Sequence, residues 1–210
     1  MSEQSALFQA VVDGDTATAL AEVGSLLSQN VLPQNIMEEH LIPAMSEVGR
    51  LFEENEFFVP ELLIAARAMQ ESMKILNPLL KTSGVAKAGR VVIGTVQGDL
   101  HDIGKNLVAA MLEGGGFDVI DLGVDVAPEK FIAAAREQSG TIIALSALLT
   151  TTMPQMKKVI ESLQDAGIRG QAKVMIGGAP VTAAFATEIG ADGYSENAST
   201  AVALARRLAA

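Results

Sequence analysis

The chain has two histidines, and one of them, His101, stands among residues that suit metal chemistry. It lies in Gly98-Asp99-Leu100-His101-Asp102-Ile103-Gly104-Lys105-Asn106, with a carboxylate two positions before the imidazole. Neutral imidazole is the commonest side-chain metal ligand, and its second nitrogen usually donates to a carboxylate that fixes the tautomer and raises basicity. Asp99 has the spacing for that role if the loop folds back. Further on, Ser146-Ala147-Leu148-Leu149-Thr150-Thr151-Thr152 supplies several hydroxyls, and Gly177-Gly178 supplies backbone without Cβ atoms, which a bulky ligand can approach closely. Helix starts expected at Ile103 and Val181 would offer free amides and a positive dipole end to a phosphate. Together these parts describe a site for a metal cofactor with a phosphate-containing tail. His40 lies beside Met37 and Leu41 on a helical stretch and reads as a partly buried structural residue.

Three segments so far apart in sequence meet only if the fold brings them together. From residue 90 onward, short β-branched runs alternate with helical periods. Strands are expected at Arg90–Val96, Phe117–Leu122, Thr141–Ala147, Ala172–Ile176 and around Gly193–Tyr194. Helices are expected at Ile103–Glu113, Pro128–Gln138, Met153–Ala166, Val181–Ile189 and Ala198–Leu208. This alternation predicts an α/β domain over residues 90–210: a flavodoxin-like (Rossmann-like) five-stranded parallel sheet of order 2-1-3-4-5. Such sheets bind ligands beyond the carboxyl ends of the strands, where strand order reverses. The first, third and fourth strands end at the three segments named above.

Residues 1–85 have a different texture, with little Gly and apolar residues at helical spacing. Met37, Leu41, Met45, Val48 and Phe52 form one face of a helix over Pro33–Phe52, and Leu62, Ala66, Met69, Met73 and Leu76 form another beginning at Pro60. Shorter helices are expected at Ala6–Val12 and Thr16–Ser28, which together make an all-α four-helix bundle. The small, polar stretch Lys81–Gly89 reads as the linker and natural hinge between the domains.

Hydrophobic residues make up 49% and charged residues 19%, a globular composition. Without cysteine, disulfides, iron–sulfur clusters and thiolate zinc sites are excluded. A formal charge of −10 repels phosphate backbones, so no nucleic-acid partner is expected. Neither a signal peptide nor a membrane-length apolar run is evident, which predicts a cytoplasmic location.

The Asp99-Leu100-His101-Asp102-Ile103-Gly104 segment resembles the Asp-x-His-x-x-Gly signature of B12-binding domains. Ser146-Ala147-Leu148 resembles the family's Ser-x-Leu, and Gly177-Gly178 its Gly-Gly, in the same order. The N-terminal half is similar to the helical cap paired with this fold in methionine synthase and in corrinoid proteins of methyltransferase systems. The resemblance implies a cobalamin or related corrinoid with His101 as lower cobalt ligand, Asp99 bonded to that imidazole, and a hydroxyl completing the relay. Thr152 aligns with that third role better than Ser146, whose family role is contact with the displaced nucleotide base. It also implies cofactor contacts from Gly98, Asp102, Ile103, Gly104, Leu148, Thr150, Gly177 and Gly178, less directly from Gly193 and Tyr194, and from Phe58 and Leu62 of the cap. The function implied is carriage of a methyl group on cobalt between a substrate-specific methyltransferase and an acceptor methyltransferase using tetrahydrofolate or a thiol, with a reductive activator as a further partner.

Two alternatives stand beside it. An adenosylcobalamin mutase subunit shares the motifs, but would accompany a substrate-binding barrel for which the chain leaves no residues. A dinucleotide-binding protein would use Asp121, at the end of the second strand, for a ribose; yet Gly94-x-x-x-Gly98 is not the tight glycine turn such sites need. Met37, Met45, Met69 and Met73 read as core filler, and Phe57 and Phe58 equally as staples at a helix start. Lys105 reads as a first-turn helix residue able to meet a phosphate.

Overall fold

A computed structural model describes residues 5–83 and 88–210. They form two compact units: the residues before 88 with Glu113–Gly116, and the remainder.

The first unit is helical. Helix α1 (Ala6–Val12) starts where the Ser5 hydroxyl accepts the Phe8 amide, and α2 (Thr16–Ser28) where the Asp15 carboxylate accepts that of Thr18. The long helix expected from Pro33 is broken into α3 (Pro33–Ile36), a π turn at Met37–Leu41, and α4 (Ile42–Glu53). Pro43 accounts for the break: with no N–H of its own, it cannot return the α-helical bond to Glu39, and the backbone widens there. His40 sits in the widened turn with Nδ1 2.8 Å from the Ser5 hydroxyl, in keeping with a structural role. Helix α5 (Val59–Ser83) begins one residue earlier than expected and runs on into the segment expected to be linker. The rest of that linker overlaps residues 84–87, outside the described residues. Leu7, Val11, Val23, Ile36, Leu41, Val48, Leu62 and Met69 are fully buried. At about 1.5–3 kcal/mol for each large apolar side chain, such burial holds helices that would be marginal alone.

The second unit is the expected doubly wound sheet. Strands β1 (Arg90–Thr95), β2 (Asp118–Asp121), β3 (Thr141–Ser146), β4 (Ala172–Gly177) and β5 (Gly193–Tyr194) are all parallel, in the order β2-β1-β3-β4-β5. Helices α6 (Ile103–Gly114), α7 (Pro128–Glu137), α8 (Pro154–Asp165), α9 (Ala183–Ile189) and α10 (Ala198–Ala209) connect or follow them. Successive strand residues point to opposite faces, so Val91, Ile93, Ile142 and Met175 pack with α6 and α10, while Val92, Ile143, Val174 and Ile176 pack with α7, α8 and α9. Burial of both faces is why the strands read as continuous apolar runs. No helix among the described residues is long and apolar enough to cross a membrane.

Candidate functional site

Strand register aligns the site. Thr95 pairs with Ser146 and Ser146 with Gly177, so β1, β3 and β4 end level, and the loops carrying His101, Thr152 and Gly178 leave the sheet side by side.

Asp99 is at the centre of these loops. Its carboxylate is fully buried. Oδ1 accepts the backbone N–H of His101 at 3.1 Å and lies 2.7 Å from His101 Nδ1. Oδ2 accepts from Leu148 N at 2.8 Å, Leu149 N at 3.3 Å and the Thr152 hydroxyl at 2.6 Å. Burial alone would push this carboxyl's pKa up, but the bonds from Thr152, His101 and Leu148 outweigh it and hold the pKa well below the ordinary carboxylate range. Asp99 is therefore a fixed anion. In a neutral imidazole, a carboxylate that accepts from Nδ1–H puts the lone pair on Nε2, the nitrogen then able to bind a metal. The imidazole is 51% exposed, and no group among the described residues engages Nε2.

His101, Asp99 and the Thr152 hydroxyl are thus linked by hydrogen bonds. The Ser146 and Thr150 hydroxyls make no hydrogen bond among the described residues. Around the imidazole are Leu100, 72% exposed, Ile103, 80% exposed, and the half-exposed Leu148 and Leu149. Such apolar exposure beside a polar group marks a ligand surface. Leu100 and Leu149 were not named as site residues by the sequence reading, although for Leu100 an apolar residue between the loop acids Asp99 and Asp102 was the available signal.

The glycines divide by the reason for them. A Cβ at Gly178, where φ is +134°, would stand 2.0 Å from the Ala147 carbonyl oxygen, and one at Gly177 would stand 3.1 Å from the Ser195 oxygen. Gly193 faces Leu204 at 2.5 Å. Gly178 is thus required by the chain's own packing, whatever ligand lies beyond, whereas a side chain at Gly177 or Gly193 needs a neighbour to shift. Gly104 is exposed in the first turn of α6, and its Cβ would meet nothing within 4 Å, so the fold does not require glycine there. Tyr194 is half-buried and packs against the core.

Other expectations change. Lys105 is not available to a phosphate: its side chain is 1% exposed and pairs with Asp121, which also accepts the Gly123 amide. The same pair occupies the acid that a ribose would need. Helix α9 starts at Ala183, capped by Thr182, and the Val181 amide is taken by the Gly178 carbonyl. Asp102 precedes α6 and accepts from Asn106 at 3.2 Å. In the helical unit, Phe58 is 61% exposed, whereas Leu62 is fully buried and offers no surface.

A lone imidazole with a carboxylate behind it and leucines around it suits a metal whose other ligands belong to an organic ring. Among the described residues, no group of three or more His, Asp or Glu side chains could hold a bare ion.

Comparison with known proteins identifies the family. Residues 89–203 match a family model described as B12 binding domain, and residues 4–77 match a second with the same description. The chain is 49% identical to dimethylamine corrinoid protein 1 of Methanosarcina acetivorans over 85% of its own length and 84% of the relative's. It is 39% identical to a corrinoid protein of Desulfitobacterium hafniense over 99% and 98%. A chain of the methanol:cobalamin methyltransferase complex MtaBC of Methanosarcina barkeri superposes with a TM-score of 0.84 at 30% identity, covering 97% of this chain and 78% of that one. The chain belongs to the family of B12-binding corrinoid proteins.

Proposed function

We propose that the protein binds cobalamin or a related corrinoid with His101 Nε2 as the lower axial ligand, and serves as the methyl carrier between two methyltransferases. The observation that carries this reading is the exposed imidazole whose other nitrogen is fixed by the buried Asp99 carboxylate. When bound, the cofactor supplies a cobalt centre that accepts a methyl group from one enzyme and yields it to another.

The chain's own residues do the rest. Asp99 holds the imidazole in the tautomer that presents a lone pair, and Thr152, Leu148 and Leu149 hold Asp99. Leu100, Ile103, Leu148 and Leu149 would give an apolar macrocycle a surface to rest on. Gly104 leaves the space beside His101 open. Ser146, Thr150, Gly177 and Gly178 line the strand ends where a nucleotide tail would run. The Asp99 carboxylate would hold the ring through Nδ1 whether or not Nε2 is engaged.

The similarity to a corrinoid protein named for dimethylamine makes a methylated amine the first donor to test. The acceptor enzyme would use tetrahydrofolate or a thiol, and a reductive activator would serve the complex in the cytoplasm. The test is reconstitution with hydroxocobalamin, followed by addition of a dimethylamine-specific methyltransferase and dimethylamine under reducing conditions. Growth of the methylcobalamin absorption spectrum on this protein is expected. A reconstituted chain that no methylamine or methanol methyltransferase can methylate would refute the carrier role.

A further inference from the structure

Residues 98–102 have no regular secondary structure, so a few bonds decide where His101 stands. The Thr95 hydroxyl, fully buried at the end of β1, donates to the His101 carbonyl at 2.8 Å. Asp99 N bonds the Val96 carbonyl within the turn itself. Leu148, Leu149 and Thr152 hold the Asp99 side chain from the loop after β3, and two further ties, to the turn's backbone, both belong to Asp125. Its carboxylate accepts the Gly98 amide at 2.7 Å, and its own amide donates to the Asp99 carbonyl at 3.0 Å.

Asp125 sits in the loop between β2 and α7 with φ of 51°, in the left-handed region. Asn30 and Asn55 share that conformation, but each follows a helix end, where a left-handed residue is ordinary. Asp125 follows a strand. A non-glycine residue held there away from a helix end signals a locally over-determined structure. The same loop is tied at its other end, where Asp121 pairs with Lys105 in the first turn of α6. Residues 121–125 thus grip the His101 segment before and after the imidazole, although none has been assigned a cofactor contact.

We propose that Asp125 is a positioning residue for metal ligation: by bonding both Gly98 and Asp99 it fixes the place of the Asp99–His101 pair. This rests on His101 being the axial ligand. The test uses full-length protein reconstituted with hydroxocobalamin and reduced to the Co(II) state. Nitrogen splitting in its paramagnetic resonance spectrum is followed against pH, giving the midpoint at which the imidazole leaves the metal. Asp125→Asn keeps an acceptor oxygen and favours the same backbone conformation, while Asp125→Ala removes the acceptor. Both lose the charge, and Asp99, Asp102, Lys105 and Asp121 are common to both, so their field cancels in the comparison. The midpoint for Asp125→Ala should lie about 0.5–1 pH unit above that for Asp125→Asn, a roughly three- to tenfold weaker ligation equilibrium. Should Asp125→Ala fold poorly, Asp125→Gly accepts the left-handed backbone, lacks the acceptor and should show the same displacement.

Equal midpoints for Asp125→Ala (or Asp125→Gly) and Asp125→Asn would overturn the positioning role. Absence of histidine nitrogen splitting in the unaltered protein would instead overturn the ligation on which it depends; the two failures are distinguished by the chain in which they occur.

Discussion

Replacing Asp99 with Asn keeps the size and removes one acceptor, and the geometry dictates how the amide must turn. Oδ2 serves three donors, the Leu148 and Leu149 amides and the Thr152 hydroxyl, whereas Oδ1 serves two, both on His101. Turning the new NH₂ toward residues 148 and 149 would strand two backbone donors; Thr152 alone could escape, to the Leu149 carbonyl 2.9 Å away. Turning it toward His101 strands one. At about 1–3 kcal/mol per buried unpaired donor, the second orientation wins by roughly that amount. It then faces Nδ1 with a donor, so Nδ1 must accept and the proton moves to Nε2, the nitrogen meant for the metal. Asp99→Asn should therefore fold with a loss of about 1–3 kcal/mol and lose axial ligation out of proportion to that loss. Urea unfolding measures the first, and the absorption spectrum of the hydroxocobalamin-loaded protein the second. Native axial ligation in the Asp99→Asn variant would refute the tautomer reasoning, whatever its stability.

Other outcomes follow from single features of the site. Because Asp99 has a folded pKa below its unfolded value, its contribution to stability is present above about pH 4 and fades on further acidification; in urea titrations this acid loss should be smaller in Asp99→Asn. Gly104→Ala meets open space within the fold, so thermal unfolding should change by less than about 1 kcal/mol while cobalamin affinity measured by equilibrium dialysis falls. Gly178→Ala places a methyl against the Ala147 carbonyl at positive φ and should destabilise the unit by about 3 kcal/mol or more with no cofactor present, as calorimetry of the apo protein would reveal. Thr152→Val leaves Asp99 Oδ2 with only the two amides; Thr152→Ser should restore the native pH dependence of ligation and Thr152→Val should not.

Much of this was legible in the sequence because it depends on periodicity. Val91–Ile93 and Ile142–Leu145 read as buried parallel strands, and strand order followed from the alternation with helices. The site at the ends of β1, β3 and β4 was legible for the same reason, since topology alone fixes which loops meet. The π turn at Met37–Leu41 was hidden: the apolar spacing stays helical across it, and the backbone bond lost at Pro43 leaves that pattern unchanged. Long-range polar pairs were equally hidden. Lys105–Asp121 and Gly98–Asp125 join residues with no shared period, and the left-handed backbone of Asp125 follows from the loop's three-dimensional ties. The Gly177-Gly178 pair was recognised for its place, but its steric reason, the Ala147 and Ser195 backbone, emerges only from packing.

The most direct measurement is paramagnetic resonance of the Co(II) protein loaded with hydroxocobalamin, prepared with ¹⁵N-labelled histidine. A two-line ¹⁵N splitting is expected, and it should vanish in His101→Ala but persist in His40→Ala. A three-line ¹⁴N pattern from the cofactor's own base, or no nitrogen splitting at all, would contradict axial ligation by His101.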